Sequence, residues 1–96
     1  MAKGEIPQET IDITNRFFEA IDELIRLGQI RDIKHLAEHW GIGRFILAWG
    51  RKHPEEQRLR VELIRQLALE YHVSLRWLFF GTGNMFNANA YSTKKR

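Results

Sequence analysis

Apolar residues in this chain recur at one-turn spacings, and a glycine or proline cuts each run short. No segment between turn signals reads as a strand, whereas the one-turn spacings recur along the chain, so short amphipathic helices are what the pattern admits. Phe17, Phe18, Ile21, Leu24 and Ile25 predict a helix over 13–27, with Asp12 or Thr14 as its cap and Gly28 as its stop. Ile33, Leu36, Ala37 and Trp40 form a second stripe, stopped by Gly41, and a third short helix begins at Arg44. Pro54 then interrupts, and Glu55 and Glu56 suit the positive end of a fourth helix. That helix carries the longest stripe: Leu59, Leu63, Ile64, Leu67, Ala68 and Tyr71. Ser74 caps a last short helix with Leu75, Leu78 and Phe79, which Gly81 and Gly83 end. The expectation is one all-α, five-helix domain over 13–86, with an irregular lead-in over 1–12 and a flexible basic tail over 87–96.

Ninety-six residues suffice for one modest core and not for two. The hydrophobic share of 44% and aromatic share of 11% are those of a chain that packs a core. No cysteine occurs, so neither disulfides nor thiolate metal sites hold the fold. No apolar run approaches a membrane span, and the first residues lack a signal-peptide pattern, so the expected compartment is the cytoplasm. The net charge of +3 conceals an asymmetry: residues 1–30 sum to −3 and residues 31–96 to +6. A basic portion beside an acidic one fits a polyanion met by one face, and equally fits a mixed, solvated surface.

Little in the sequence points to catalysis. His35-Leu36-Ala37-Glu38-His39 spells a zinc-hydrolase pattern, and two histidines four apart do project from one helix face. A third ligand is missing, because His53 and His72 stand at unrelated spacings, and Leu36 and Ala37 read as core. Two histidines on a solvated face explain the pattern better. Ser74 reads as a cap and Ser92 lies in the tail. Gly81-Thr82-Gly83 lacks the lysine and the preceding strand of a phosphate loop. The adjacent carboxylates Asp22–Glu23 and Glu55–Glu56 read as solvated. The expectation is a protein that is not an enzyme, with no cofactor and no metal site.

The segment from Ile33 onward meets the demands of a helix-turn-helix. Two helices crossing steeply over a short turn need a small residue where they pass, which Ala37 supplies. Gly41 can take the positive φ that reverses the chain, and Leu36 and Leu47 pin the two helices to the core. Together with "EYHVSLRWLFFGTGNMF", the stretch "HLAEHWGIG" resembles the phage-repressor-like helix-turn-helix family, that of lambda repressor, Cro and XRE-like transcriptional regulators. The resemblance covers about residues 15–86. It implies a compact five-helix lambda-repressor-like DNA-binding domain that regulates transcription; families of this kind also include antitoxins and phage or mobile-element regulators. It further implies a homodimer on double-stranded DNA with a palindromic operator.

By that resemblance, residues 44–52 are the recognition helix in the major groove. Arg44 would read guanine and Phe45 would touch thymine methyls, with Ala48 and Trp49 as the remaining exposed base-facing positions. Arg31, Lys34, Arg51 and Lys52 would hold phosphates, adding affinity without sequence information. The sequence departs from the family at Gly43, where a polar cap is common, and in the apolar Phe45, Ala48 and Trp49. Gly50 also stands where an apolar residue is general. Burial would explain Phe45, Ile46 and Trp49 most simply, yet Leu47 already fills the inward position of a short helix. A second reading therefore stands beside the first: a protein-interaction module on the same scaffold, anchored by Phe45 and Trp49, with weak or no DNA binding.

Overall fold

The computed structural model describes residues 6–88, 90 and 91. Within them the chain forms α1 (Gln8–Arg26), α2 (Ile33–Trp40), α3 (Arg44–Lys52), α4 (Val61–Tyr71) and α5 (Leu75–Phe80). Among the described residues there is no β-strand, only one isolated antiparallel bridge between Val73 and Phe86. None of their helices is long and apolar enough to cross a membrane. The described fold is all-α, as the periodicity requires.

α1 starts five residues earlier than the sequence indicates. Pro7, with ψ of 151°, turns the chain into the helix, and its carbonyl accepts from the Thr10 and Ile11 N–H groups. Asp12 and Thr14 therefore lie inside α1 rather than capping it, and residues 8–12 are helical rather than irregular. Thr14 is buried, and its hydroxyl is satisfied by donating to the Thr10 carbonyl at 3.0 Å. Along α1 the buried Phe17, Phe18, Ile21 and Leu24 form one side of the core. Leu36 and Ala37 of α2, Leu47 of α3, Leu63, Ile64 and Leu67 of α4 and Leu78 of α5 pack against them, with Ala20, Ile30 and Val73 also in the cluster.

The fourth helix also begins elsewhere than expected. Pro54, Glu55 and Glu56 form a turn, not a helix start: the His53 carbonyl accepts from Glu56 N–H at 2.9 Å and Gln57 N–H at 3.2 Å, but this single turn is not continued and α4 opens only at Val61. The Gln57 amide then reaches back to the Ile46 carbonyl at 2.8 Å, tying this turn to α3. Arg60 is extended, and α4 opens after it, so Leu59 packs half-buried ahead of the helix. α4 ends at His72, which takes the left-handed conformation with φ of 60°. Non-glycine residues adopt it at a cost of about 1–2 kcal/mol. The following segment holds it there, since Asn87 N–H donates to the His72 carbonyl at 2.9 Å and Ser74 N–H to that of Met85 at 2.8 Å.

α5 is only six residues long and is fixed at both ends. Ser74 accepts from the Trp77 N–H, as its position predicts, and Gly81 closes the helix with φ of 72°. Arg16 of α1 donates to the Leu78 carbonyl at 2.8 Å and to the Phe79 carbonyl at 3.2 Å, placing a cation at the negative end of α5. Packing continues beyond Phe86, where the expected tail begins: Tyr91 meets Phe86 edge-on at 4.9 Å and donates to the Tyr71 carbonyl at 2.8 Å. Residues 92–96 of that tail, Ser92 included, lie outside the described residues.

Candidate nucleic-acid interface

Asp32 opens α2 by accepting from the His35 N–H at 2.9 Å and from the His35 ring at 2.7 Å. Those two bonds, the backbone one foremost, hold its carboxyl below the ordinary aspartate range. At the other end Gly41 is left-handed with φ of 71°, which lets the Ile42 N–H reach the Ala37 carbonyl at 3.0 Å. Three residues, Gly41 to Gly43, thus join two helices that pack directly on one another. Gly43 contributes extended backbone and no side-chain cap to α3.

Helical spacing divides α3 into two sides. Leu47 and Gly50 face inward and are buried. A methyl group on Gly50 would stand 3.2 Å from the Gln57 amide nitrogen and 3.8 Å from the Phe18 ring, so this glycine lets α3 seat closely on α1. On the outer side Phe45 is 75% exposed and Trp49 48% exposed, one turn apart. Ala48 and Ile46 are half-buried between them. The structure brings Phe45, Ala48, Trp49 and Lys52 together as walls of one open apolar groove of about 670 Å³, with His53 and Gln57 at its far edge. Arg44 stands at the start of the helix with its guanidinium 5.6 Å from the Phe45 ring centre, within cation–π range.

The four cations assigned to phosphates separate. Arg31, Lys34 and Lys52 are exposed and make no ion pair among the described residues. Arg51 is engaged instead with Asp22 of α1 at 2.5 Å. Its partner lies 29 positions away in sequence, which no local spacing discloses. Arg31 precedes the Asp32 cap of α2 and Lys34 lies in its first turn, and neither lines the α3 groove.

Two groove residues escaped the sequence reading. His53 stacks on Trp49 with ring centres 4.1 Å apart, an i, i+4 pairing that the sequence does contain. Gln57 enters through the turn after α3; Pro54 marks a break there, but no sequence signal discloses the bond from Gln57 back to Ile46. The histidines of the zinc-like pattern are each drawn aside. His35 Nδ1 faces Asp32 at 2.7 Å, and His39 Nε2 faces Glu70 of α4 at 3.0 Å. Glu70 also accepts from the Trp40 indole at 3.0 Å and from Gln66 at 2.7 Å, so His39 belongs to a clamp between α2 and α4.

A second apolar surface lies on α4 and α5. Val61, Leu69, Leu75, Phe79 and Phe80 are all exposed there, Phe80 to 76%. An open groove of about 710 Å³ runs among the first four of them, with Arg65 and Arg76 as its only charged walls. In comparisons with known proteins, the chain matches no family model, no curated protein and no solved structure.

Proposed function

We propose that this chain is a sequence-specific, repressor-like transcriptional regulator that binds double-stranded DNA as a homodimer, with α3 in the major groove. This is the phage-repressor-like helix-turn-helix reading of its sequence. The observation that carries it is the pairing of α2 and α3 across Gly41–Gly43, with a buried inner side of α3 and an exposed outer one. Arg44 and Lys52 stand exposed at the two ends of that outer side. An α-helix with its side chains is about 10–12 Å across, which a major groove about 12 Å wide admits. Arg44 is the guanine reader in this proposal, with Phe45, Ala48 and Trp49 offering apolar contact to thymine methyls. Arg31, Lys34 and Lys52 supply phosphate contacts, and Arg51 contributes less because Asp22 holds it. The α4–α5 surface is the dimer face: each copy offers both a projecting Phe80 and an apolar groove, as a two-fold contact requires.

The test is fluorescence anisotropy of labelled duplex DNA titrated at several salt concentrations. Binding whose log K falls by about 3–6 units per decade of salt would indicate several released counterions. Absence of binding down to low salt would reject this reading. A specific observation favours one alternative: the outer side of α3 is dominated by two large exposed aromatics. In that reading α3 docks on a protein partner through Phe45 and Trp49. Trp49→Ala would then abolish a complex seen by sedimentation while leaving the circular dichroism spectrum intact.

A further inference from the structure

We propose that His53, Glu55 and Glu56 form a binding site for one first-row divalent cation of the zinc type, at the end of α3. The ligand atoms of these three residues, one nitrogen and two carboxylate oxygens, lie within 4.8 Å of one another. The His53 Nδ1 to Glu55 Oε2 separation is 3.8 Å. That is too long for a hydrogen bond, which spans about 2.7–3.2 Å. It is close to the ~3.3 Å that separates neighbouring ligands around a tetrahedral ion with bonds of about 2.0–2.1 Å. In this proposal the two exposed carboxylates rotate to close the set around the ion, and water completes the shell.

The backbone and the neighbouring ring prepare this arrangement. The His53 carbonyl accepts from Glu56 and Gln57, closing the turn that gathers residues 53, 55 and 56. The bond from Gln57 to the Ile46 carbonyl anchors that turn on α3. Stacking on Trp49 restrains the His53 ring. An imidazole with two carboxylates is a borderline donor set, suited to zinc and its first-row neighbours rather than to calcium. The other histidine pair offers no comparable set, since His35 and His39 are turned toward different acids. A bound dication would offset the charges of Glu55 and Glu56 beside Lys52. Any metal dependence of DNA affinity rests on the DNA reading, whereas the site itself does not.

Trp49 provides the reporter. Calorimetry with Zn²⁺ should find one ion per chain. The double variant Glu55→Gln/Glu56→Gln, which keeps side-chain size, should lower the affinity at least about tenfold, and His53→Ala should do the same. His39→Ala should leave it unchanged. Co²⁺ should quench part of the tryptophan fluorescence, and Trp49→Phe should remove that part while retaining Zn²⁺ binding. No saturable Zn²⁺ binding, or binding that survives Glu55→Gln/Glu56→Gln, would overturn the site. So would binding lost in His39→Ala. None of these readings uses DNA, so this site can fail while the DNA proposal stands, and the reverse.

Discussion

Arg44 and Lys52 occupy opposite ends of α3 and are assigned different work, so their variants should behave differently. Arg44→Ala should reduce preference for a selected site over random DNA by about 1–3 kcal/mol, because a bidentate guanine contact discriminates by that amount. Lys52→Ala should weaken all duplexes alike and flatten the salt slope by about 1. Arg51→Ala should change the slope less than Lys52→Ala, since Asp22 already pairs with its guanidinium. Competition anisotropy with selected and random duplexes separates these outcomes, and equal losses for Arg44→Ala on both would remove it from base readout. Asp32 supports a pH prediction. Hydrogen bonds from His35 lower its pKa in the folded state, so the folded protein binds protons there less readily than the unfolded chain. Its stabilising contribution is therefore full above the ordinary aspartate range and is lost as pH falls through the depressed value. Asp32→Ala should lower Tm at neutral pH and flatten the acid side of the Tm–pH curve. Asp32→Asn should retain part of the cap but lose the same pH dependence.

Among the elements, the stops were more legible than the starts. Gly28, Gly41 and Gly81 end runs of apolar residues in the sequence, and all three take left-handed backbone conformations in the structure. Each stop is written locally, in the one residue type that takes that conformation without penalty. The starts of α1 and α4 are less legible because the apolar period does not mark them: Pro7 redirects the chain ahead of α1, and a turn at 54–56, tied to α3 by the Gln57–Ile46 bond, precedes α4. On α3, exposure of Phe45 and Trp49 followed from Leu47 filling the inward position, whereas the Arg51–Asp22 pair needed the tertiary structure. α5 combines both kinds of information, since Gly81 is local and Arg16 is not. A methyl group at Gly81 would lie 3.2 Å from Arg16 Nη1, and the φ of 72° disfavours any Cβ. Gly81→Ala should therefore destabilise the fold by at least about 1–2 kcal/mol, read from urea denaturation. Arg16→Ala should cost about 1–2 kcal/mol through lost bonds to the α5 carbonyls. The double variant should cost less than the sum, because Gly81→Ala already displaces Arg16. Strict additivity would mean that Arg16 and the end of α5 act independently.

At the scale of the molecule, the two exposed apolar surfaces have different proposed occupants, and that difference can be tested. A monomer that left Val61, Leu69, Leu75, Phe79 and Phe80 in water would expose an uncommon amount of large apolar side chain on α4, α5 and the end of α5. If a second copy covers this face, sedimentation velocity should show a concentration-dependent monomer–dimer equilibrium. Phe80→Glu should shift it to monomer. Because Phe80 is 76% exposed, that change should alter unfolding free energy by no more than about 0.5 kcal/mol beyond the loss of dimer linkage. The consequence for DNA follows from geometry. Two linked copies present two α3 helices, so Phe80→Glu should weaken binding to a palindrome strongly and to an isolated half-site little. Phe45→Ala, on the other surface, should weaken half-site binding and leave the sedimentation equilibrium unchanged. If Phe45→Ala dissolves the dimer and Phe80→Glu does not, the assignments reverse: α3 becomes the protein-binding surface and loses its place in the major groove. The pair of variants therefore decides at once which surface meets protein and whether the other is left for DNA.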